Sequence, residues 1–145
     1  MKVSLKWLKE YCDFPVSPKE LAEQMTMLGL EIESIEEPGK EIENVFVGKI
    51  LDIQPHPQAD KLVVCKTDIG KGEPLQIICG AKNMKVGDKV PTAIDGAVLP
   101  GGFKITRRKM RGVESFGMMC SGAELKIEED SEGLLILDST APIGE

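Results

Sequence analysis

The residues of this chain that could do chemistry are few, and their spacing keeps them apart. His56 is the only histidine, which removes HExxH and paired-histidine metal sets. Cys12, Cys65, Cys79 and Cys120 lie far apart with no C-x-x-C. They give neither a zinc spacing nor a disulfide framework. Cys65 and Cys79 end apolar runs (LVVC, IIC) and read as reduced core thiols. Asp52, Asp60, Asp68, Asp88 and Asp95 fall at expected strand ends and turns, where aspartate ordinarily belongs. GKGEPL is not a Walker loop, and no G-x-G-x-x-G precedes a helix. An enzyme built on Cys120 or Asp95 would lack a base, an orienter and a metal set. The pattern favours binding over catalysis, with no cofactor held by these residues.

What could be bound is written in Gly96–Ser121, GAVLPGGFKITRRKMRGVESFGMMCS. Lys104, Arg107, Arg108, Lys109 and Arg111 stand there with Glu114 as the one acid. Phe103, Ile105, Met110 and Val113 thread the cations, as in edge strands that bury one face and offer the other. Such a surface suits a polyanion; the alternative is an ordinary basic hairpin with no ligand. The formal net charge of −6 hides a division: residues 45–125 hold 12 Lys+Arg and 8 Asp+Glu out of 18 and 24. A basic middle with Lys61 and Lys82 between acidic flanks can track phosphates whatever the base sequence. Phe46, Phe103 and Phe116 are the only aromatics of that middle. Recognition of folded RNA by shape therefore fits better than stacking along a single strand.

The elements that must position these residues follow from periodicity and turn signals. Ser4 can cap a helix over 5–11, and Ser17-Pro18 opens a second, carrying Leu21, Met25 and Leu28 and closed by Gly29. Leu30–Ile35 alternates apolar and polar, so it reads as a half-buried strand. Strands are expected at Val45–Gln54, Leu62–Ile69, Pro74–Cys79, Lys89–Ile94, Phe103–Arg111 and Gly117–Cys120. Asp95-Gly96 and Pro100-Gly101-Gly102 mark turns. Five or six short strands in about 80 residues suit a Greek-key barrel, the OB-fold. The fold class is mainly β with an α+β appendage at the N-terminus. Ser121 and Glu124 form a capping box for a helix at 121–125. LLIL at 134–137 reads as one more buried strand before a tail that looks cut short. No signal-peptide pattern or apolar run of about 20 residues appears, and a cytoplasmic protein with no membrane contact is expected.

VGKILDIQPHPQADKLVVCKTDIG, IICGAKNMKVGDKVPTAIDGAVLPGG and KMRGVESFGMMCS together resemble the tRNA-binding OB-fold module attached to several aminoacyl-tRNA synthetases. CGAKN at 79–83, GAVLPGG at 96–102 and the leading MKVSLKWLKEYCDFPVSPKELAEQMTMLGLEIESIE look like the form in β subunits of bacterial phenylalanine–tRNA ligase. The resemblance covers essentially the whole chain. It implies a ligase of two α and two β subunits, in which ATP and Mg²⁺ serve the α subunit and not this stretch. It also implies a module inserted in a discontinuous domain: 1–39 as first half, 40–125 as the tRNA-binding barrel, and 126–145 as a return segment. Carried over by motif, the His56/Asp60/Lys61 turn and the Lys109/Arg111/Ser115 segment match the module's signature, with Gly112 and Gly117 structural. Together with Arg107 and Arg108 of the basic stretch, the expected tRNA-binding residues are His56, Lys61, Arg107, Arg108, Lys109, Arg111 and Ser115. Gln58 and Lys126 depart from the family pattern, which commonly shows Asn and Gly there. The alternatives are a mainly structural barrel, or the tRNA-binding module of another synthetase or of a free-standing protein. Lys109 and Arg111 are expected to face the RNA and Met110 the core.

Overall fold

The computed structural model describes residues 1–145, which divide into two compact units, Met1–Glu37 and Pro38–Glu145. In the first unit, Ser4 accepts from the Trp7 N–H and starts helix α1, Leu5–Leu8. It is shorter than the expected 5–11, the chain continuing as a turn to Tyr11. Helix α2, Pro18–Met27, carries the expected capping box: Ser17 Oγ takes the Glu20 N–H while Glu20 takes the Ser17 N–H. The Ser17 hydroxyl, donating to the Glu20 carboxylate at 2.7 Å, and then the Ser17 N–H hold that carboxyl below its ordinary range. Gly29, at φ +94°, closes the helix: its N–H reaches the Thr26 carbonyl and that of Leu30 reaches Met25. This is a Schellman ending. The alternating Leu30–Ile35 segment forms no strand. A strand needs a ladder for its backbone groups, and this unit contains no second strand to pair with.

The second unit is a barrel. Strands β1 (Glu43–His56), β2 (Ala59–Asp68) and β3 (Leu75–Cys79) form an antiparallel meander. β4 (Lys89–Leu99) returns to pair with β1, giving the order β3-β2-β1-β4, the Greek-key arrangement. Beyond β4 come β5 (Phe103–Lys104), β6 (Arg108–Met110), β7 (Val113–Ser115) and β8 (Gly117–Met119). β8 pairs with β4 through Thr92↔Met119 and Ile94↔Gly117. On the other side the Phe116 N–H reaches the Gln76 carbonyl at 2.9 Å, and the Ile78 N–H reaches Ser115 Oγ at 3.1 Å. β1–β4 and β8 thus make a five-stranded, nearly closed antiparallel barrel of the OB class.

Its interior holds Ile50, Cys65, Ile77, Val90 and Met119, with Cys79, Met84 and Leu134 packed beside them. A second cluster joins Ala93, Ala97, Leu99, Ile105, Cys120 and Leu125. Each large aliphatic side chain so buried contributes about 1.5–3 kcal/mol. Burial also pushes the Cys65 thiol up to about 11 and the Cys120 thiol to about 12.

Four expectations change here. Asp95-Gly96 is no turn: Gly96, at φ +87°, lets β4 bend without ending. The strand expected over Phe103–Arg111 breaks after Lys104. Ile105 still exchanges backbone bonds with Ala97 and Gly96, but the Arg107 N–H donates to the Asp95 carboxylate at 3.1 Å instead of to a backbone carbonyl, and the ladder stops there. The Ser121–Glu124 capping box forms, yet it caps a turn and no longer helix. Lys126 there sits at φ +52°, in the left-handed region that favours glycine. Finally, LLIL is not a strand; only Leu137 makes a bridge, to Lys89. Leu134 instead enters the core, held by both amide atoms of Asn83. Residues 126–145 lie within the same compact unit as the barrel.

Candidate nucleic-acid interface

The basic stretch folds into a hairpin standing off the barrel. β6 and β7 pair as Arg108↔Ser115, Lys109↔Glu114 and Met110↔Val113. The two residues between them, Arg111 and Gly112, both have positive φ, +48° and +86°. That is the tight turn whose twist matches paired strands. Arg111 therefore caps the hairpin in a conformation unusual for a residue with a Cβ, while Gly112 adopts its own without strain.

His56 and Ser115 are buried where this hairpin meets the barrel. His56 is 5 % exposed. Its Nδ1 accepts the Gln58 N–H at 3.0 Å, which leaves the proton on Nε2 to donate to the Met110 carbonyl, also at 3.0 Å. Both ring nitrogens are used. Beside this link, Arg111 Nη1 donates to the Gln58 carbonyl at 3.4 Å. The β1–β2 turn and the hairpin tip are thus tied at two points. Ser115, 4 % exposed, donates to the Gly117 carbonyl at 2.9 Å and accepts from Ile78, closing the barrel. The motif marks these two residues, and in the structure both are buried with their side-chain polar atoms already hydrogen-bonded.

The cations divide by strand alternation. Arg108 and Met110 share the face toward a groove, and Lys109 takes the other face opposite Glu114. Met110 lines that groove at 39 % exposure, so it is not the core residue expected from parity. Its backbone is held by His56 while its side chain has no core to enter. Arg107 is the engaged cation: its Nη2 pairs with Glu114 at 2.7 Å and its guanidinium lies 4.4 Å from the Phe116 ring centre. Arg108, Lys109 and Lys61 are exposed without an acidic partner. Lys61 lies on β2, two residues beyond Ala59, the strand partner of His56.

Sequence reasoning left out Lys104 and Glu114 as site members. Lys104 lies on β5 and lines the same groove as Arg108. Its membership in the basic run was the available signal. Glu114 carried the opposite sign, and only the β6–β7 pairing places it among the cations. No helix in the structure is long and apolar enough to cross a membrane.

A family profile described as "Putative tRNA binding domain" matches residues 45–145. Over its whole length the chain is 54 % identical to the phenylalanine–tRNA ligase β subunit of Clostridium acetobutylicum and 53 % identical to that of Anaeromyxobacter dehalogenans. With the Fusobacterium nucleatum subunit it shares 52 % over 99 % of its length. The chain spans only 18–19 % of the length of these relatives. Among solved structures, the C-terminal domain of Plasmodium vivax p43 superposes with a TM-score of 0.53 at 22 % identity, over 74 % of this chain and 59 % of that one. A MetRS-related protein from Pyrococcus horikoshii gives 0.50 at 20 %, over 69 % and 84 %. At such identities these two show the fold alone. The profile covers the barrel from β1 onward, so this chain belongs to the tRNA-binding-domain family, in the form found in phenylalanine–tRNA ligase β subunits.

Proposed function

We propose that this chain is an accessory tRNA-binding module of a phenylalanine–tRNA ligase β subunit. In that reading it supports aminoacylation of tRNA(Phe) in a cytoplasmic enzyme of two α and two β subunits, and does no catalysis itself. ATP and Mg²⁺ belong to the α subunit's chemistry. The observation that carries the reading is the hairpin, which carries Arg108, Lys109 and Arg111 along its strand and tip while only the neighbouring Arg107 is ion-paired. A rigid hairpin with free cations positions phosphates and reads no bases, as expected for binding by shape. The turn that holds it, through His56 and Gln58, places Lys61 on the strand that follows.

Titration of the chain with tRNA at several salt concentrations tests this. Lys109→Ala and Arg111→Ala should each weaken binding to different tRNAs alike and lower the salt slope by about one or less. Melting should barely move for Lys109→Ala, whose side chain is exposed and unpaired. If both variants bind as the parent does with an unchanged slope, the hairpin is not the contact and the barrel serves packing instead.

A further inference from the structure

We propose that the groove beside the hairpin takes one unpaired nucleotide of the bound RNA, with its base against Phe103 and Met110 and its phosphate near Lys104 and Arg108. This rests on the RNA-binding reading above but uses the other face of the hairpin.

The barrel unit has three aromatic rings, and two are covered by cations. Lys71 Nζ lies 3.3 Å from the centre of Phe46, and Arg107 covers Phe116. Phe103 has no such partner and is 52 % exposed, on a two-residue edge strand. It opens onto a groove of about 470 Å³, floored by the buried Ile105 and walled by Met110. Sites for small ligands span about 300–1,000 Å³, so one nucleotide fits and a duplex does not. Charge selects the occupant. Lys104 and Arg108 line the groove with no acid bonded to either. The one carboxylate lining it, Glu124, is turned onto Ser121, whose N–H and hydroxyl it accepts at 2.7 and 2.9 Å. An aromatic face beside unpaired cations matches a base next to its own phosphate. A base within a paired stem has both faces stacked and cannot enter; a bulged or looped one can.

Two RNA probes test this with the full chain: a fully paired hairpin, and the same hairpin with one bulged 2-aminopurine nucleotide. The wild type should bind the bulged probe more tightly and change its fluorescence. Phe103→Ala should weaken that binding by about five- to a hundredfold, abolish the fluorescence change, and leave both the paired probe and the salt slope unaltered. Phe103→Trp should restore the preference, and Phe103→Leu, which keeps apolar bulk, should not. Equal affinity for both probes, or a Phe103→Ala variant that still prefers the bulge, overturns the groove. If wild type binds both probes equally and Lys109→Ala weakens both, only the groove fails. If wild type binds neither at any salt, the RNA-binding reading fails with it.

Discussion

Glu114 is the residue that sets how much of the hairpin's positive charge is available. It stands opposite Lys109 in the ladder and holds Arg107 at 2.7 Å, with both side chains about half exposed. An exposed pair of this kind adds little to stability, about 0–1 kcal/mol, but it cancels a charge where phosphate would approach. Glu114→Gln should therefore strengthen tRNA binding several-fold at low salt and steepen the salt slope by up to about one, with little change in melting. Unchanged or weaker binding would mean that Arg107 must be held in place to act. The thiols give a second test at this scale. Cys12 is exposed, whereas Cys65, Cys79 and Cys120 are buried with their ionisation pushed up by burial. Alkylation of the native protein should modify Cys12 alone. Because Cys65 and Cys120 ionise first in the unfolded chain, their contribution is intact below about pH 9 and is lost as pH rises toward 11–12. Stability that increases over that interval would contradict the burial of these groups.

Strand β8 shows how closely elements are packed where the barrel closes. A Cβ on Gly117 would meet the Ala93 carbonyl oxygen, which belongs to the β4 backbone it pairs with. Gly117→Ala cannot be absorbed by a side-chain rotation and should cost about 1–3 kcal/mol or more; a melt equal to the parent's would show that the two strands can separate. This contact explains the motif glycine, which the sequence marks as structural without naming its neighbour. The same limit runs through the other readings. β1 to β4 are legible because alternation and flanking turns are local features. Asp95-Gly96 reads as a turn because a bend inside a strand asks for the same positive-φ glycine. Leu30–Ile35 has the pattern of a strand, but pairing depends on a partner that the pattern does not supply. LLIL has the hydrophobicity of a strand, yet burial of Leu134 needs no ladder. In the interface, the cations are visible as a run, whereas the burial of His56 and Ser115 and the arrival of Glu114 arise only when distant segments meet. Lys126 is a related case: its departure from glycine is visible in sequence, and its φ of +52° shows that the departure carries backbone strain.

At the scale of the whole chain, the core and the charge are distributed differently. Every buried apolar side chain falls between Ile50 and Leu134, and residues 1–37 bury none. Those first 37 residues carry 4 Lys+Arg and 8 Asp+Glu, against 14 and 16 in residues 38–145. The barrel therefore holds the means of folding and the basic hairpin, while the first unit adds mainly negative charge. Chains below about 40 residues seldom bury enough surface to be stable alone, and the first unit has neither a disulfide nor a core to compensate. Residues 38–145 expressed without it should unfold cooperatively within a few degrees of the whole chain. Within the whole chain, amides of α2 should exchange with solvent faster than those of β1 and β4. Removal of a net −4 should leave tRNA affinity equal at high salt and raise it modestly at low salt, since repulsion of a polyanion is screened over about 10 Å at 0.1 M. The two observations separate two ideas. A shorter piece that melts broadly would place part of the barrel's stability in residues 1–37. A piece that melts sharply but loses tRNA at every salt concentration would place part of the RNA contact there.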